Sequence, residues 1–196
     1  NQVIEDSPFG IFGVFALEYG NFMSNMNFDN EDYFAWAGKH FQDLGAKMSR
    51  INTLLIWNKV EPNPGKGYVW EGENILKTDS ILKSAFKYGG DDFGMVMVIE
   101  PSRHRKINID DGNKVYLKNF IRAAVERYNG DGINDFDTNI KVKYWQASNE
   151  PFLFNEWFKQ GGTIESYADF VRLMSEAVKS VDPKAKIVLG AETAIR

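Results

Sequence analysis

Five short apolar runs recur along the chain, and between them lie stretches whose apolar residues follow a helical period. This alternation limits the fold more than any other feature. Parallel strands need a crossover of a dozen or more residues between them, usually a helix. Serial repetition of that unit makes a parallel sheet covered by helices. The apolar runs fall at 9–15, 48–57, 95–99, 142–148 and 187–190, and each reads as a strand. Helical stripes fall at 33–44, 80–88, 115–128 and 164–181. The third is the most regular, with Leu117, Phe120, Ile121, Ala124, Val125 and Tyr128 on one face. The fourth carries Tyr167, Phe170, Val171, Met174, Ala177, Val178 and Val181, with Thr163 placed as its N-cap and Asp182-Pro183 as its stop.

Two architectures share this order, an open doubly wound sheet and a closed (β/α)8 barrel. The Gly-rich phosphate turn of a dinucleotide fold is missing after the first strand, where the chain reads Gly13-Val14-Phe15-Ala16-Leu17. The loops after the second, third and fourth strands are long and rich in polar and aromatic residues, as in barrels, whose βα loops build the active site. The expectation is therefore an α/β fold of the parallel (β/α)8, TIM-barrel type. A full barrel takes about 250 residues, whereas about five strands and four helices are legible in these 196 residues. Residues 1–196 are accordingly expected to form the N-terminal portion of a single (β/α)8 catalytic domain.

Composition narrows the chemistry. With 43% hydrophobic and 26% charged residues the chain can bury a core and stay hydrated. A net charge of −4 argues against a nucleic-acid partner. The absence of cysteine removes disulfides, thiolate nucleophiles and Cys-ligated metals. No stretch is long and apolar enough to cross a bilayer, so no membrane partner is expected. The first residue is Asn1 rather than Met, which fits either a cleaved or an omitted leader and leaves the compartment open.

The fourth strand ends in Asn149-Glu150-Pro151. A carboxylate at the C-terminal end of a barrel strand stands where these enzymes place an acid/base. To act as an acid near neutral pH it must hold its proton, and burial among aromatic groups favours that form. Trp145, Phe152, Phe154 and Trp157 are candidates for such surroundings. The competing reading of the tripeptide is plain turn chemistry, with Glu150 capping the next helix. Strict alternation along the second strand puts Arg50, Asn52, Leu54 and Ile56 on one face with Trp57 at the tip. A buried Arg50 needs a carboxylate, and Glu18 and Glu100 are the structural candidates. His104, in the basic loop Ser102-Arg103-His104-Arg105-Lys106, is either a substrate contact or part of a solvated face. His40 reads as a surface or boundary residue of the first helix. Trp57, Trp70, Phe152, Phe154, Trp157 and Phe158 could stack on the C–H faces of sugar rings, or pack the loops onto the barrel rim.

At these residues the chain resembles the clan A glycoside hydrolases, (β/α)8 barrels that cleave β-linked sugars with retention. Asn149-Glu150-Pro151 looks like the clan's amide and acid/base pair. The segments Ser49-Arg50-Ile51-Asn52, Trp57-Asn58-Lys59-Val60-Glu61-Pro62 and Gly67-Tyr68-Val69-Trp70 are similar to the second strand and loop of family 39 xylosidases and family 42 galactosidases. Residues 164–189 resemble the helix leading to the fifth strand. The resemblance implies Glu150 as proton donor, Asn149 as contact to the sugar 2-hydroxyl, and Arg50 as support for an ionised nucleophile, with Trp57, His104 and Trp157 as further substrate contacts. It implies no cofactor and no metal. The clan's nucleophile is a second Glu after the seventh strand, and neither Glu61, Glu100 nor Glu192 matches that place. The 196 residues alone are therefore expected to be inactive, and to self-associate or dissolve poorly through exposed sheet edges. The alternatives are a metal-dependent sugar isomerase or epimerase barrel, and a non-catalytic carbohydrate-binding piece.

Overall fold

A computed structural model describes residues 10–12, 30–70, 78–90, 92–101, 111–151 and 161–190. The elements run β1 (Gly10–Phe12), α1 (Asn30–Asp43), β2 (Met48–Ile56), a single-turn α2 (Trp57–Val60), α3 (Thr78–Gly89), β3 (Gly94–Glu100), α4 (Asp111–Tyr128), β4 (Tyr144–Ala147), α5 (Ile164–Val181) and β5 (Lys186–Leu189). All strand pairs are parallel, and their order across the sheet is the order of the sequence. A doubly wound sheet reverses its strand order at a switch point. None occurs among the described strands. Right-handed crossovers made always in the same direction put their helices on one side of the sheet, and this is barrel geometry.

The helices form where the periodicity places them, because each turns an apolar stripe to the strands. Leu117, Phe120, Ile121, Ala124, Val125 and Tyr128 of α4 are fully buried, as are Phe170, Met174, Ala177 and Val178 of α5. The two helices pack against each other, as do α1 and α3. Thr163 caps α5 as expected, accepting from the Ser166 amide at 3.2 Å while the Ser166 hydroxyl accepts from the Thr163 amide at 2.8 Å. Asp182 closes the other end through its amide on the Val178 carbonyl, and Pro183 prevents continuation.

One buried ionic cluster ties the outer layer together. Asp79, at the start of α3, receives Arg127 on both oxygens and the Tyr128 hydroxyl at 2.8 Å. The guanidinium of Arg127 also lies over the rings of Trp70 and Phe136, at 5.2 and 4.9 Å. Trp70 in turn stacks on Phe120. This loop aromatic is thus packed onto the helical layer, the second of its two sequence readings.

The second strand departs from strict alternation. Its pairing with β3 is interrupted between Ile51 and Leu55, so that Ile51 faces Met97 while Leu55 faces Ile99. Two extra residues of β2 are absorbed there, and Leu55 and Ile56, next to each other, are both buried. Of the single face expected for Arg50, Asn52, Leu54 and Ile56, the side chains of Asn52 and Leu54 lie outside the described ones. Trp57 begins α2 instead of ending the strand.

Candidate active site at the strand C-termini

The last residue of β3 and the turn after β4 meet over two side chains from within the sheet, Arg50 near the start of β2 and Gln146 on β4. Gln146 on β4 points to the same side as Arg50 on β2, and its Oε1 accepts from Arg50 Nε at 2.6 Å. The Nη2 of Arg50 donates to Asn149 Oδ1, also at 2.6 Å. A guanidinium can only donate, so it fixes the amide of Asn149 with its oxygen towards Arg50 and its NH2 group facing away. Gln146 uses its own NH2 on the Ser148 carbonyl at 2.8 Å. Arg50 is partly buried. Burial pulls its pKa below the ordinary guanidinium value, while the nearby carboxylates of Glu150 and Glu100 act in the opposite direction.

Glu100, the last residue of β3, is 4% exposed. Its Oε2 accepts from the Ser148 hydroxyl at 2.7 Å and its Oε1 from the Asn149 amide at 2.5 Å. These bonds hold a turn with unusual backbone angles, since Ser148 has φ 58° and Glu150 φ 44°. Non-glycine residues adopt this left-handed region at a cost of order 1 kcal/mol each, so the turn persists only because its surroundings hold it. Below it the Tyr167 hydroxyl donates to the Ala147 carbonyl and accepts from the Gly190 amide, each at 2.9 Å. Behind it Gly190 lies so close to the Pro151 ring that a Cβ would come within 2.5 Å of Pro151 Cδ.

Of the residues singled out from sequence, Arg50, Asn149 and Glu150 are brought together. Trp57 is not an open stacking face. It is 8% exposed, and its indole N–H donates to the buried Glu61 at 2.6 Å. The other Glu61 oxygen accepts from the Gly65 amide, so the pair braces the loop after β2. Trp145 was expected to surround Glu150, but it alternates with Gln146 and lies in the helix-covered core with Phe120 and Phe170. His40 is exposed and hydrogen-bonded to the Trp36 carbonyl within its own helix. His104, Trp157, Phe152, Phe154, Phe158, Glu18 and Glu192 fall outside the described residues. Sequence reasoning passed over Gln146 and Ser148. The signal for Gln146 was one amide in an otherwise apolar strand, four residues before the candidate acid.

No protein-family profile matches the chain. A probable mannan endo-1,4-β-mannosidase A from Aspergillus clavatus is 23% identical, the match covering 82% of this chain and 48% of the relative. A glucosidase from Croceicoccus marinus superposes with a TM-score of 0.57 at 16% identity, over 80% of this chain and 32% of its own. The endo-β-1,4-mannanase of Thermotoga petrophila gives 0.51 at 20% identity, over 79% of this chain and 38% of its own. The parallel β/α sheet of this chain thus shares its fold with part of these glycoside hydrolase barrels. The chain spans about half the length of the curated relative it matches, and a smaller share of the two structures.

Proposed function

We propose that these residues form the acid/base half of a retaining β-glycosidase. What supports the reading is the turn after β4, where Glu150 stands beside an Asn149 whose amide oxygen is committed to Arg50. That commitment leaves the Asn149 NH2 group to donate to a sugar hydroxyl next to the scissile bond. Glu150 then passes its proton to the leaving oxygen as a second carboxylate attacks the anomeric carbon. In the second step Glu150, now ionised, takes a proton from the water that releases the sugar. Retention asks for that second carboxylate about 5–5.5 Å from the first. In this reading it comes from a segment following these 196 residues, and the polypeptide of 196 residues alone is inactive. The mannan-degrading relatives make β-1,4-linked mannan the first substrate to test.

The experiment compares wild type with Glu150→Gln and Glu150→Ala in the full-length protein containing this chain. The expected result is a loss of about 10²–10⁴-fold in turnover of β-mannan. Azide added to the Ala variant with an aryl β-glycoside should restore turnover and yield the β-glycosyl azide. Unchanged hydrolysis by Glu150→Gln would end the proposal.

A further inference from the structure

We propose that Glu100 is the positioning residue for the acid/base, through the two bonds it gives the turn that carries it. The inference rests on Glu150 acting as the acid, and it extends that reading to a residue on a different strand. The Glu100 carboxylate is buried, lies at the end of β3, and spends one oxygen on the Asn149 amide and the other on the Ser148 hydroxyl. Ser148 and Glu150, on either side of that amide, are the two left-handed residues of the turn. Regular strand hydrogen bonding reaches only as far as the Ser148 amide, which donates to the Ile99 carbonyl at 3.0 Å. Beyond that point the aim of the Glu150 side chain depends on side-chain anchors. Arg50 holds the Asn149 side chain, whereas Glu100 holds the Asn149 backbone, and the backbone sets where the next Cα points. A buried carboxylate is costly unless satisfied; the charge of Glu100 is felt by Arg50 nearby, and its two oxygens both accept from one turn, which ties that turn to the end of β3.

The prediction separates proton donation from general damage. Glycosides with poor leaving groups need the proton, while those with strongly activated leaving groups, such as dinitrophenyl, depart without it. A misplacement near 1 Å costs about 10²-fold in rate. Glu100→Ala in the full-length protein should therefore lower kcat about 100-fold on β-mannan or an alkyl glycoside. On a dinitrophenyl glycoside the first, glycosylation step should slow less than about 5-fold, because that step needs no proton. Glu100→Gln should stay within about 10-fold on both, because its amide oxygen still accepts from Asn149 and the Ser148 hydroxyl can turn to accept from its NH2. Equal loss on both leaving-group classes, or no loss on either, overturns the proposal. If circular dichroism shows Glu100→Ala unfolded, Ser148→Ala removes one of the two anchors and must show the same leaving-group dependence on a smaller scale, or the proposal fails. A backbone readout keeps the two claims apart. The Asn149 amide proton should resonate far downfield in wild type and move upfield in Glu100→Gln. If Glu150→Gln hydrolyses mannan normally while that proton moves, the acid assignment is wrong and the anchoring by Glu100 is right; if the proton does not move, the anchoring is wrong.

Discussion

Asp79 and Glu100 are buried to the same depth, each 4% exposed, yet they are used in opposite ways. Asp79 receives a bidentate arginine and a tyrosine hydroxyl, and the arginine also lies over two aromatic rings. The tyrosine is locked in its neutral form, because burial and the adjacent carboxylate both raise its pKa. That cluster joins the start of α3, the end of α4 and two loops, and its product is stability. Glu100 directs its oxygens to a backbone amide and a hydroxyl in a turn that would not choose its own conformation. In the proposal above, its product is the placement of one neighbouring side chain. The difference shows that equal burial can go with quite different hydrogen-bond partners. The donors tell the two apart: a side-chain guanidinium and a phenol on Asp79, a backbone amide and a hydroxyl of one turn on Glu100, which also lies near enough to Arg50 to act on its charge.

The contrast can be broken most directly at Asp79. Replacing it with Ala leaves the partly buried Arg127 and the fully buried Tyr128 without their shared acceptor, and should cost about 3–5 kcal/mol. Urea unfolding would measure this, and a loss below about 1 kcal/mol would mean that the cluster is ornamental. Gly190→Ala sharpens the other side of the comparison. The new Cβ must displace the rigid Pro151 ring, at about 1–3 kcal/mol for overpacking. Because that ring follows Glu150 directly, turnover on poor leaving groups should fall further than the stability change implies. A variant with full activity would show that the turn tolerates displacement.

The smallest effect concerns Asp182, which closes α5. Burial pushes its pKa up, but Lys143 at 3.0 Å and the amides of Lys184 and Ala185 pull it down further, leaving it below the usual carboxylate value. A depressed folded-state pKa gives stability that is complete above the unfolded value, about 3.9, and fades as pH falls through the folded one. Asp182→Asn should therefore cost about 1 kcal/mol at pH 7, and the deficit should shrink below pH 4 or so. Chemical denaturation at the two pH values checks the sign. A deficit independent of pH would show that the carboxylate's charge contributes nothing.

Local signals were legible in the sequence where the physics is local. Thr163 and Asp182-Pro183 mark the ends of α5 because capping and proline exclusion involve residues within one turn. The buried face of α4 was legible because a helix has one period. The course of β2 was not, since two extra residues between Ile51 and Leu55 exist only relative to the partner strand. Glu150 and Asn149 could be picked out by their place at a strand end, and Arg50 by its charge in an apolar run. Glu100 could be considered as a charge partner for Arg50 and set aside as a nucleophile, but not as an anchor, because hydrogen bonds to a turn 48 and 49 residues away leave no trace in spacing. Trp57 misled for a related reason. An aromatic residue at a strand end looks like a sugar platform until the carboxylate that receives its N–H is located four residues on.

The left-handed angles at Ser148 and Glu150 carry a consequence for anyone moving this chemistry elsewhere. Three letters grafted onto the fourth strand of another scaffold would bring the carboxylate without its aim. The portable unit includes an arginine from the second strand, a glutamate from the third and a glutamine earlier in the fourth, and a search by tripeptide alone will return many proteins that own the letters and lack the instrument.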